Sequence, residues 1–213
     1  MHILRHDADI AEAVSALVRI EPRFAAVVET HGQPPLRRME DGLEGLLRIV
    51  TDQLISLKAG EAIWRRLREA LHPFDAATIA RKRETTLMGL GLSGAKARTF
   101  RALGVAVRDG SLDFDRLHRQ PDYMVLEKLT SVTGIGLWTA GIYLLSAMGR
   151  ADAWPAGDLA LQASAQHMFG LGERPSERGM VALAEDWRPW RSVAARLLWS
   201  HYRGLKGLSQ KIT

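Results

Sequence analysis

Leu129-Thr130-Ser131-Val132-Thr133-Gly134-Ile135-Gly136-Leu137-Trp138-Thr139-Ala140 is the stretch on which the reading of this chain turns. Two glycines bracket one apolar residue between two segments of helical patterning. Gly134 and Gly136 lack side chains and can take φ > 0, so an anion can approach the backbone closely. The helix that follows then turns free N–H groups toward that anion. Thr139 can add a hydroxyl, and Ile135 can anchor the tip in a core. Such a hairpin grips a nucleic-acid backbone without reading its bases. On the two glycines alone, an ordinary αα-turn that needs glycine for its geometry is the better reading.

Working outward, nearly every long segment reads as helix. Leu43, Leu46, Leu47, Val50, Leu54 and Leu57 recur at three- and four-residue steps and predict one buried helical face. A helix through Ile63, Leu67 and Leu71 stops near Pro73, and Asp75 can cap a short one after it. Gly89, Gly91 and Gly94 break the pattern before a helix from about Ala95 to Val107. Pro121 and Asp122 introduce another through Val125, Leu126 and Leu129. The segment Leu137 to Met148 is apolar all round, which marks a central helix. Beyond the loop Ala151 to Gly157, helices are expected over Leu159 to Phe169, about Met180 to Glu185, and about Pro189 to Tyr202. Residues 170–178 read as a surface connection and 204–213 as a loose tail. No period-two strand pattern persists, so the fold is expected to be all-α.

Composition narrows the function. The 213 residues contain no cysteine, which excludes disulfides, thiolate zinc sites and thiolate-held iron–sulfur clusters. The net charge of +5 favours a polyanionic partner without naming it. No apolar run approaches the ~20 residues of a membrane span, and the charged start Met1-His2-Ile3-Leu4-Arg5-His6-Asp7 is unlike a signal peptide. A cytoplasmic monomer is expected.

After the hairpin comes Trp154-Pro155-Ala156-Gly157-Asp158-Leu159-Ala160-Leu161. Together the two stretches resemble the helix-hairpin-helix DNA glycosylase superfamily, marked by a V-x-G-I-G-x-x-T-A hairpin and a Gly/Pro-rich loop ending in an Asp at a helix start. Three more ordered matches support the resemblance: Ile49 to Ser56, Gly91 to Ala97, and Glu185-Asp186-Trp187-Arg188-Pro189-Trp190-Arg191-Ser192 with Trp199. Within the superfamily the chain is most similar to the bacterial type II 3-methyladenine DNA glycosylases, in a compact form without their N-terminal α/β domain. The resemblance implies two interlocked helical lobes with a DNA-binding cleft between them. One lobe is expected from about residues 1–45 plus 150–205, the other from about 46–149, with the hairpin near 130–140.

The resemblance also implies roles. Asp158 becomes the catalytic carboxylate, stabilising the oxocarbenium-like sugar as the N-glycosidic bond breaks and orienting or deprotonating water; an N-cap is its ordinary alternative, and both roles are compatible. Trp138 and Trp199 match residues that line the base pocket, where aromatic faces attract a cationic alkylated purine by about 0.5–2 kcal/mol each. Tyr143 is a further wall candidate, one residue from the family's pocket tyrosine, where this chain has Ile142. Core packing is the alternative for every tryptophan and the preferred one for Trp64, Trp187 and Trp190. Leu54 matches the wedge that enters the duplex, with Gln53 beside it, although Leu54 fits the core stripe equally well. No cofactor is required; the carbonyls of Thr130, Val132 and Ile135 match those that hold a Na+ or K+ ion in relatives.

Strand-cutting relatives carry a Lys where this chain has Trp138, so no Schiff base is expected by that route. The expected partner is double-stranded DNA containing damaged bases. The favoured function is therefore a monofunctional glycosylase for 3-methyladenine and 7-methylguanine. A glycosylase of the same fold for a deaminated, oxidised or mismatched base, and a non-catalytic DNA-binding module, are the alternatives.

Overall fold

A computed structural model describes residues 2–207. The chain divides after Arg38 and after Met148 into a terminal unit, built from both chain ends, and a central unit. The first boundary falls before residue 45 because the Met39 N–H already bonds the Ser146 carbonyl, 3.0 Å, within the central unit.

The central unit runs α3 (Gly42–Asp52), α4 (Leu57–Ala70), α5 (Ala76–Arg81), α6 (Glu84–Gly89), α7 (Gly94–Arg108), α8 (Phe114–His118), α9 (Asp122–Thr130) and α10 (Leu137–Ser146). Ser56, Asp75, Ser93 and Asp113 cap α4, α5, α7 and α8 through their side-chain oxygens; such caps are worth about 1 kcal/mol each. Leu46, Leu47 and Val50 of α3 are buried with Phe100 and Leu103 of α7 and Leu144 and Leu145 of α10. α10 packs against both α3 and α9, which explains its lack of a polar face.

The terminal unit holds α1 (Asp7–Ile20), α2 (Arg23–His31), α11 (Leu159–Met168), α12 (Glu177–Leu183), a 3-10 turn (Glu185–Trp187) and α13 (Arg191–Leu205). α13 packs against α1, α2 and α11 and buries Val193, Leu197 and Leu198. Trp187 is buried against Phe24 and Trp154, whereas Trp64 and Trp190 are only half-buried. The expected tail begins too early: α13 continues to Leu205, and residues 208–213 lie outside the described residues. Among the described residues the only extended pairing is one bridge, Ile3 with Arg150, and no helix is long and apolar enough to cross a membrane.

One predicted element fails. The apolar stripe from Leu43 to Leu57 is not one helix, because α3 ends at Asp52. Leu54 and Leu57 lie outside the core, 102% and 85% exposed. The Lys96 ammonium donates to the carbonyls of Thr51, 2.8 Å, and Gln53, 2.6 Å. It satisfies acceptors that another helical turn would otherwise take and places a cation at the negative end of α3.

Candidate active site and nucleic-acid interface

In the terminal unit, Asp158 is the N-cap of α11. Its Oδ1 accepts the N–H groups of Ala160 and Leu161, both at 3.0 Å, and the indole N–H of Trp199 at 3.2 Å. Capping and a chemical role are compatible here, since these donors fix the carboxylate's plane and the helix N-terminus favours its negative charge. Trp199 is half-buried, so part of its ring surface reaches solvent while its nitrogen orients Asp158.

The loop before Asp158 is pinned by side chains outside the predicted site residues. Asp152 accepts from Arg188 Nη1, 2.7 Å, and from Arg191 Nε and Nη2, 2.8 and 2.9 Å. The Ser192 hydroxyl lies between the carbonyls of Arg150, 2.6 Å, and Ala153, 2.9 Å, and the Ser192 N–H meets the Ala151 carbonyl at 2.9 Å. Gln162 reaches back to the Ala156 carbonyl, 3.1 Å, and the Trp154 indole donates to the Met180 carbonyl, 3.0 Å. The Arg191-Ser192 pair of the C-terminal motif is thus a clamp on the Asp158 loop. Its only signal in the sequence was the motif match itself.

In the central unit the two hairpin glycines differ. Gly134 has φ +88, and an added Cβ would lie 1.9 Å from Thr99 Oγ1. Its place is dictated by the fold. Gly136 has φ −95, against the expectation of a left-handed backbone, and an added Cβ would meet no protein atom within 4 Å. It precedes α10 without any side-chain cap bond. Ile135 is buried at the tip.

These differences separate two substitutions. Gly134→Ala is expected to lose about 2–4 kcal/mol of stability from left-handed strain and overpacking, read by denaturant unfolding. Gly136→Met is expected to unfold like the parent yet bind damaged and undamaged duplexes more weakly alike. A lost phosphate contact would flatten the log–log salt dependence of its affinity by about one unit.

Three predicted roles change. The Thr139 hydroxyl is buried and accepts from Gln53 Nε2 at 2.7 Å, so it faces inward and not toward a phosphate. Gln53 is tied there and acts as a strut for the loop that carries Leu54. Tyr143 is 1% exposed. Its hydroxyl donates to Asp41 Oδ1 and accepts the Gly42 N–H at 2.9 Å. Burial and the Asp41 carboxylate both push its phenol upward. Tyr143 therefore anchors the start of α3 and is no pocket wall. Ile142 and Trp138, both half-buried on α10, keep accessible surface.

Leu54 is the most unusual residue of this unit: a fully exposed leucine with φ +57. Ile55, Leu57 and Leu137 are exposed too, and the Gln53–Thr139 bond ties this loop to the start of α10.

All-helical units with a glycine hairpin before a central helix, and a capped aspartate beside a tryptophan, define a class of DNA-repair fold. Residues 47–189 match the family model described as HhH-GPD superfamily base excision DNA repair protein, and the chain belongs to that superfamily. It is 30% identical over 93% of its length to a Mycobacterium tuberculosis protein described as a "probable bifunctional transcriptional activator/DNA repair enzyme AlkA", of which it covers 41%. A solved DNA-3-methyladenine glycosidase from Bacillus halodurans is 26% identical, with TM-score 0.79 over 98% of this chain and 96% of that one. The fold is also that of Schizosaccharomyces pombe 3-methyladenine DNA glycosylase in complex with abasic DNA, at 23% identity, TM-score 0.81 and coverage of 92% and 97%. The chain spans 64% of a Bacillus subtilis relative and 41% of the mycobacterial one.

Proposed function

We propose that this chain is a monofunctional DNA glycosylase that removes alkylated purines, 3-methyladenine and 7-methylguanine, and leaves an abasic site. The observation that carries the reading is the Asp158 carboxylate, fixed by two α11 amides and the Trp199 indole N–H. The Bacillus halodurans relative named a DNA-3-methyladenine glycosidase supports the substrate class.

In the reaction the C1′–N bond breaks and its electron pair leaves with the base. A ring-alkylated purine is cationic, so it departs neutral and needs no proton from an acid. Positive charge builds on the sugar, where a fixed carboxylate lowers the barrier most. A water oxygen then bonds to C1′, and its proton passes to Asp158 or onward to solvent. Trp199, whose indole N–H meets Asp158, supplies aromatic surface suited to a cationic base. Before this the base must leave the stack, and Leu54 is the residue that replaces it. The hairpin amides at Gly136 and the start of α10 hold a backbone phosphate. The carbonyls of Thr130, Val132 and Ile135 suit a Na+ or K+ ion as an all-oxygen donor set. That of Val132 already accepts the Ile135 N–H at 3.0 Å and keeps a second lone pair. The ion would brace the hairpin without entering the chemistry.

The test is base release from methylated duplex DNA, with strand scission assayed before and after alkali. Free 3-methyladenine and 7-methylguanine, with strand breaks only after alkali, are expected. Breaks before alkali would contradict the monofunctional assignment. Faster release of uracil, hypoxanthine or 8-oxoguanine would move the substrate class to neutral lesions. Binding with no release of any base would leave a non-catalytic module.

A further inference from the structure

The terminal unit contains a cluster of cations for which the proposed glycosylase chemistry has no use. Arg196, Trp199 and Arg203 follow one another at three- and four-residue steps on one face of α13. Arg196 is 7% exposed. Its Nη1 donates to the Pro35 carbonyl at 3.2 Å, while its Nε and Nη2 are buried and have no acceptor among the described residues. The Pro35 contact draws the segment carrying Arg37 and Arg38 against α13. Arg37 is exposed and sits in the left-handed region at φ +37, a strained conformation for a non-glycine residue. Arg203 donates to the Ser200 hydroxyl, 3.0 Å. Among the described residues no carboxylate pairs with Arg37, Arg196 or Arg203.

We propose that Arg37, Arg196 and Arg203 form a phosphate site on the terminal unit, at the α13 face that also carries Trp199. A guanidinium buried with two unsatisfied N–H groups, and flanked by like charges, is unstable as it stands. Burial and the charges of Arg38 and Arg37 push Arg196 down to about 10, which leaves it cationic at neutral pH. Burial and Arg37 lower Arg203 as well. An oxyanion between Arg37 and Arg196 converts a repulsive pair into two charge-assisted contacts, and the planar fork of Arg suits a phosphate bidentately. Arg37 is exposed, so it is the member of the cluster that an anion meets from solvent. The phosphate comes either from a DNA strand or from a free phosphate or nucleotide.

The experiment follows thermal unfolding of the full chain against inorganic phosphate, with chloride holding ionic strength constant. A saturable rise of about 5–10 °C is expected at a hundredfold excess over Kd. Arg196→Met is expected to abolish the rise and, without phosphate, to melt no lower than the parent, because it removes an unpaired buried charge at similar volume. Arg37→Asn, an exposed change to a residue that tolerates the left-handed region, is expected to weaken half-saturation about tenfold, one lost charge-assisted contact. No saturable rise, or the same rise in Arg196→Met, overturns the proposal, the latter being the generic effect of an excluded salt. Binding of Arg37→Asn to an abasic duplex then assigns the source. A salt slope lower by about one unit marks a strand phosphate, and an unchanged slope marks a free one. Because the titration needs no base release, it stands apart from failure of the glycosylase reading.

Discussion

Asp158→Asn is expected to slow base release from methylated DNA about 10²–10³-fold while leaving affinity for the damaged duplex nearly unchanged. The magnitude is that of removing one preorganised electrostatic group from a developing charge. Asparagine separates this role from capping. It caps a helix as well as aspartate does, and its side-chain oxygen can still accept from Ala160, Leu161 and the Trp199 indole, the three donors that hold Oδ1. Stability should therefore stay within about 0.5 kcal/mol of the parent. Asp158→Ala would confuse the two, because it removes the cap as well. Single-turnover release gives the rate, and equilibrium binding to a duplex with one lesion gives the affinity. An Asn variant as active as the parent would leave Asp158 a cap and nothing more.

What was legible in the sequence was whatever depends on near neighbours. The all-round apolarity of Leu137 to Met148 identified a central helix, and α10 packs against α3 and α9. Gly157-Asp158 before an apolar run announced a capped helix start. The failures share a cause, which is pairing across long stretches of chain. Leu54 and Leu57 fit a helical stripe by spacing, and the groups that stop α3 lie far away at Lys96 and Thr139. Tyr143 looked like a pocket wall because its neighbour matched one, while its hydroxyl belongs to Asp41. Thr139 looked like a phosphate ligand until Gln53 claimed its oxygen. Local spacing cannot separate Gly134, required by Thr99, from Gly136, which no protein atom crowds.

The exposed leucine gives the second large effect, in which stability and activity should move apart. Leu54→Gly is expected to unfold at no lower denaturant concentration than the parent. No core contact is lost at a side chain that is 102% exposed, and glycine accepts φ +57 without the roughly 1–2 kcal/mol that a side chain incurs there. Its greater freedom in the unfolded chain offsets part of that gain. The loop itself should persist, because Lys96 holds the carbonyls of Thr51 and Gln53 and the Gln53 side chain holds Thr139, none of which involves the Leu54 side chain. Excision from a fully paired duplex should nevertheless fall at least about tenfold, since extruding a stacked base costs a few kcal/mol and an apolar wedge offsets part of it. Excision of the same lesion placed opposite an abasic gap, where less pairing must be broken, should fall much less. A strained, solvent-facing leucine on a loop fixed by three bonds among other residues is difficult to explain as packing. If both substrates slow equally, Leu54 serves general binding, and the wedge must be sought among Ile55, Leu57 and Leu137.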